Sequence, residues 1–129
     1  MKRLFLAAIL FTFSSLYISA ATITVTYTND SGAGSLRQAI TGAASGDTIN
    51  FTVTGTITLT SGKLIIDKNL TIQGPGASLL SISGNNFGYT VFSINIGVTA
   101  TLDGMSIRNG AGGFIGRDSE WRERQYRGR

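Results

Sequence analysis

The sequence predicts an all-β solenoid, a parallel β-helix of short strands closed at its N-terminal end by one short helix. Three observations carry this. Between Leu64 and Gly110, short apolar alternations end repeatedly in Gly or Asn: Leu70-Thr-Ile72 before Gly74, Leu80-Ser-Ile82 before Gly84, Phe92-Ser-Ile94 before Asn95, Met105-Ser-Ile107 before Asn109-Gly110. Two stretches read alike, Ile66-Asp-Lys-Asn-Leu-Thr-Ile-Gln-Gly74 and Leu102-Asp-Gly-Met-Ser-Ile-Arg-Asn-Gly110, and such self-similarity marks stacked units. One amphipathic helical pattern, from Ser35 to Gly46, stands alone among strands. An antiparallel β-sandwich would also want turn signals at this spacing and is the alternative architecture.

In chain order, Met1-Lys-Arg3 is a charged start, Leu4–Phe13 an apolar run, and Ser19-Ala-Ala21 a patch of small residues. These are the three parts of a secretory signal peptide, cut after Ala20 or Ala21. An uncleaved anchor helix is the other reading, but Thr12, Ser14 and Ser15 interrupt the apolar run short of the ~20 residues that a span needs. Residues 1–21 are therefore expected to be removed on export.

Thr22-Ile-Thr-Val-Thr-Tyr27 alternates strictly, with Ile23, Val25 and Tyr27 on one face, as a half-covered strand does. Gly and Asn break it, and Ser35-Leu-Arg-Gln38 fits a capping box in which Ser takes an orphan N–H and Gln reaches back. Leu36, Ala39, Ile40 and Ala43 then form one apolar stripe, and Gly46 is expected to stop the helix. A helix this short is marginal alone, so its stripe must lie on a larger apolar surface. The open end of a β stack is such a surface, and uncovered strand edges need a cap. Residues 22–54 are read as that cap. On this reading Ile40→Asp exposes the stack, whereas Arg37→Asp, on the polar side, changes little.

Residues 55–113 are read as coils. Ile57, Leu59, Leu64, Ile66, Leu70, Ile72, Leu80, Ile82, Phe92, Ile94, Leu102, Met105 and Ile107 are expected to point inward. Gly74-Pro75-Gly76, Asn85-Asn86, Asp103-Gly104 and Asn109-Gly110 are expected to turn the corners, because these residues tolerate positive φ. Residues 114–129 break every regularity of the body: alternation stops and most of the arginines cluster there. They read as an unstructured or out-of-frame tail, or else as a basic segment for anionic polymers or lipid.

The formal charge of +4 resides at the two ends. In the body, Arg37, Lys63, Lys68 and Arg108 balance Asp30, Asp47, Asp67 and Asp103, so no basic face suited to nucleic acid is expected. Cysteine and histidine are absent, which removes disulfides, thiolate metal sites and the commonest general base.

The stretch from Thr28 to Ile40 (Thr-Asn-Asp-Ser-Gly-Ala-Gly-Ser-Leu-Arg-Gln-Ala-Ile) followed by Gly46-Asp-Thr-Ile-Asn-Phe51 resembles the N-terminal cap of bacterial exported right-handed parallel β-helix surface proteins, the adhesin and polymorphic outer-membrane type with a pectate-lyase-like fold. The Leu102–Gly110 coil is similar to their repeat. The resemblance implies a right-handed helix and a cell-surface or outer-membrane-associated location. It implies a structural or adhesive role, with a cell-surface polysaccharide or a neighbouring or host cell as partner. A β-helix polysaccharide lyase or glycoside hydrolase, with its active site in further coils, is the alternative on the same fold.

No catalytic, cofactor-binding or metal residue is assigned. Asp67 and Asp103 occupy like places in the two similar stretches and, if stacked, could hold Ca²⁺ or act as an acid–base pair. The simpler expectation is that each begins a turn. Asp30 and Asp47 are expected in turn or capping roles beside the helix. Phe87, Tyr89 and Phe92 offer faces for sugar rings; the plainer expectation puts Phe92 in the core and the other two at a corner.

Overall fold

A computed structural model describes residues 14–111. One helix, α1 (Leu36–Gly42), follows β1 (Thr22–Val25); then come β2 (Thr48–Phe51), β3 (Gly55–Thr58), β4 (Leu64–Ile66), β5 (Leu70–Gln73), β6 (Leu80–Ser83), β7 (Phe92–Ile94), β8 (Ala100–Asp103) and β9 (Ser106–Arg108). The strands pair as β1-β2-β5-β8, β3-β6-β9 and β4-β7, and every pairing is parallel. Parallel strands normally need a long crossover; here each returns to its sheet by passing through the other faces of the coil. The chain is a parallel β-helix of about three turns, and the sandwich alternative falls with the absence of antiparallel pairs among the described residues.

The register stacks like on like. Ile23, Ile49, Ile72 and Leu102 form one inward column, and Thr22, Thr48, Thr71 and Thr101 an outward one. Ile57, Ile82 and Ile107 stack in the second sheet, and Leu64 under Phe92 and Ile66 under Ile94 in the third. Burial weakens toward one end: Ile49 and Ile72 are wholly enclosed, whereas Leu102, Met105 and Ile107 are only partly covered. The opposite end is closed by α1, which packs on β1 and β4 and buries Leu36, Ala39, Ile40 and Ala43 in the same core. The helical stripe therefore does what its spacing predicts.

Corners fall where Gly and Asn predict them. Asn85, Asn86 and Asn109 adopt φ of 56°, 57° and 53°, the left-handed region in which asparagine is among the few tolerated residues. Gly74 and Gly104 meet backbone to backbone on successive coils, and a Cβ on either would collide with the other's carbonyl.

Four expectations need correction. The helix ends at Gly42, with the Ala43 N–H closing on Ala39 O at 3.0 Å; Gly46 instead sits at φ +94° in the turn into β2. The capping box is half formed: Ser35 Oγ accepts from Gln38 N at 3.2 Å, but the Ser35 N–H goes to Gly32 O at 3.2 Å, which leaves Gln38 nothing to reach for. Tyr27 is exposed, because β1 stops at Val25 and the next two amides turn aside to Gly34 O. The two similar stretches are out of phase: Ile66–Gly74 runs from β4 into β5, Leu102–Gly110 from β8 into β9. The residues of the expected tail, 114–129, lie outside the described residues.

Candidate functional site

The polar side chains gather at the capped end and at the corners. Asp30 lies in the bend between β1 and α1. Its carboxylate accepts from Arg37 Nη2 at 2.7 Å, from Ser61 N at 2.9 Å, from the Ser61 hydroxyl and from Thr60 Oγ1 at 3.2 Å. Burial works to raise this carboxyl. The Ser61 hydrogen bond, the Arg37 hydrogen bond and charge, and Thr60 more than offset it and hold the group at about 2.

Arg37 is far from the indifferent surface residue that its helical position predicts. Its guanidinium also donates to Gly62 O at 2.7 Å and Lys63 O at 3.0 Å, and its Nε to Asp30 O at 3.3 Å. One side chain thus joins the cap helix, the bend before it and the corner between β3 and β4. A planar fork of five donors suits this task, which a lysine could not perform. The helix pattern marks Arg37 as polar and says nothing of these carbonyls, which come from sequence positions far away. Lys68 plays a smaller part of the same kind, with Nζ 3.3 Å from Ile40 O and Thr41 O at the end of α1, where a cation is favoured.

Asp47 is 6% exposed. Its two oxygens accept from Ala21 N and Ala44 N, each at 2.8 Å. These amides, Ala21 first, hold the carboxyl below the ordinary range against the opposing effect of burial. The expected turn role is correct for Ala44, but the bond to Ala21 spans a whole coil.

Asp67 and Asp103 do not come together. Asp103 lies at the end of β8 in register with Gln73 and caps its own corner through Gly104 N at 2.7 Å. Asp67 begins the corner after β4, with Lys68 Nζ at 3.5 Å. Their turn roles stand; the stacked pair does not form. Among the described residues no group of three or more His, Cys, Asp or Glu could hold a metal ion. Phe92 is core, and Phe87 and Tyr89 stack beside a corner, ring centroids 5.9 Å apart at 23°. Tyr89 Oη reaches Leu59 O at 3.4 Å, which anchors the pair and leaves the Phe87 face in solvent. A shallow groove of about 270 Å³ runs between β1 and α1, floored by Ile23, Gly34, Ala39 and Gly42.

No protein-family model, curated protein or solved structure matches the chain. The solenoid rests on the pairing pattern, and the resemblance to surface proteins rests on its motifs alone. No helix of the described residues is long and apolar enough to cross a membrane.

Proposed function

We propose that this chain is the capped front of an exported β-helix protein of the cell surface, with a structural or adhesive role. The observation that carries the reading is how the polar side chains are used. Asp30, Asp47, Asp103, Arg37 and Lys68 bind backbone groups of the solenoid. The outward columns of the four-stranded sheet, by contrast, are mainly hydroxyls and amides (Thr22, Thr48, Thr71 and Thr101; Thr24, Asn50 and Gln73), with the exposed ring of Phe87 beside half-buried Tyr89 at one corner. Such a wall offers hydrogen-bond partners and a ring face to a polysaccharide or another cell surface. The cap motif resemblance and the signal-peptide pattern support export.

The test is to fractionate cells that make the full chain, and to measure retention of the released protein on immobilised cell-surface polysaccharides. Surface exposure with retention weakened several-fold by Phe87→Ala is the expected result. A chain confined to the cytosol, or one that cleaves the polysaccharides it meets, would overturn the reading, the second outcome in favour of a lyase or hydrolase.

A further inference from the structure

Asp47 is the only carboxylate in the buried set of the described residues, and it has no counter-ion. The ion pairs formed there are Arg37 with Asp30 and Lys68 with Asp67; no cationic side chain of the described residues reaches Asp47. Two backbone amides satisfy its lone pairs and keep it ionised, but each brings only a partial charge, so a full positive charge at the same place would strengthen the contact. What faces it is the start of the folded body. Ala21 N donates to Asp47 Oδ1 at 2.8 Å, and Ala21 O accepts from Thr48 N at 2.9 Å. Among the described residues before Ala21, 14–20 belong to no element and are exposed, Leu16, Tyr17 and Ile18 almost completely.

We propose that proteolysis of the Ala20–Ala21 bond completes the fold, because the α-ammonium released on Ala21 becomes the missing counter-ion of Asp47. The site rests on the export reading, which supplies the peptidase. In the hydrolysis, water oxygen joins the Ala20 carbonyl carbon, the C–N bond breaks, and Ala20 leaves as a carboxylate. The Ala21 nitrogen takes up the protons and becomes an ammonium. Ala20 and Ala21 each offer a small residue before a bond that a signal peptidase could cut. The small-x-small pattern of Ser19-Ala-Ala21 fits a cut after Ala21, while a cut after Ala20 has Ile18 three residues before the bond. The fold distinguishes them. A cut after Ala21 removes the donor on Asp47 Oδ1 and the acceptor of Thr48 N, whereas a cut after Ala20 keeps both bonds and places a full positive charge on the atom that already donates to the carboxylate. A charged donor makes the stronger, charge-assisted hydrogen bond.

The full chain is expressed in a host with intact export, and the N-terminus of the released protein is read by sequencing. Ala21 as first residue supports the proposal. Thr22 as first residue overturns it and leaves the export reading standing; recovery of the uncut chain from the cytosol alone overturns both. Independently of export, the chain that begins at Ala21 is compared with its Nα-acetylated form, which keeps the N–H donor and loses the charge. Acetylation should lower Tm by about 4–8 °C, and by much less in Asp47→Asn. A chain that begins at Ala20, with its ammonium one residue removed, should melt like the acetylated form even if Asp47→Asn does not fold. Equal melting of all three wild-type forms would overturn the counter-ion role.

Discussion

Replacing Arg37 by methionine tests how the cap is held. Methionine keeps the unbranched stem and helix propensity and removes every donor. The guanidinium lost is bonded to the Asp30 carboxylate at 2.7 Å and to the Gly62 and Lys63 carbonyls at 2.7 and 3.0 Å. A hydrogen bond to a charged group contributes about 1.5–3 kcal/mol, but exposed ion pairs contribute only about 0–1 kcal/mol. The Asp30 side chain is 8% and that of Arg37 24% exposed, so the pair lies nearer the buried limit, while the two carbonyls can partly recover water. The expected loss is about 2–3 kcal/mol, set by the stranded Asp30 charge more than by the carbonyls. Urea titration should show a lower midpoint with unchanged slope, and Tm should fall by about 10–20 °C. In a double-mutant cycle with Asp30→Asn, a coupling of about 1 kcal/mol or more is expected. A loss below about 0.5 kcal/mol, as at an ordinary surface position, would refute the view that Arg37 staples three segments.

Ile40→Asp should detach the cap and raise light scattering at matched concentration, because it sets a charge against the core and uncovers strand edges; Gln38→Ala, on the exposed side of α1, should not, and equal behaviour would deny the cap its role. Ile72→Ala should cost about 3–4 kcal/mol, within the range for enclosed aliphatic side chains, and Leu102→Ala, in the same column but partly open, about half as much; equal losses in urea titrations would mean that the far end is covered. In acid, Asp30 and Asp47 both have lowered carboxyls, so their stabilisation is present above about pH 4 and is lost as pH falls through the folded values, near 2 for Asp30. Tm should therefore drop between pH 4 and pH 2, less so in Asp30→Asn, and a flat profile would count against both networks.

The solenoid was legible because its signals are local. Alternation marks strands, Gly and Asn mark corners, and a stripe of Leu36, Ala39, Ile40 and Ala43 marks a helix with something apolar beneath it. Phase was less legible. The Ile66–Gly74 and Leu102–Gly110 stretches match in residue type because any strand–corner–strand passage draws on the same residues, so likeness did not establish that Asp67 and Asp103 stack. Only pairing showed that they lie at different corners. The polar staples were illegible for another reason. Arg37 and Asp47 find partners from other coils, and periodicity along one element carries no information about carbonyls or amides brought in from elsewhere.

The two ends of the stack are unlike, and this gives the molecule a direction of growth. Among the described residues each strand pairs with the coil before it and the coil after it, so no strand pairing waits for a part of the chain more than about one coil away. The cap lies in the first-synthesised part of the body, and once Gly62 and Lys63 have reached Arg37 it presents β1 and the helix stripe as a finished template. A chain that emerges from its N-terminus can then add one coil at a time, each new strand meeting a waiting edge and covering it. Loop closure is repeated at nearly constant length as coils are added, so its entropic cost per coil stays level. Assembly of this kind behaves like winding onto a spool whose first turn is fastened, with Arg37 and Asp47 as the fastenings.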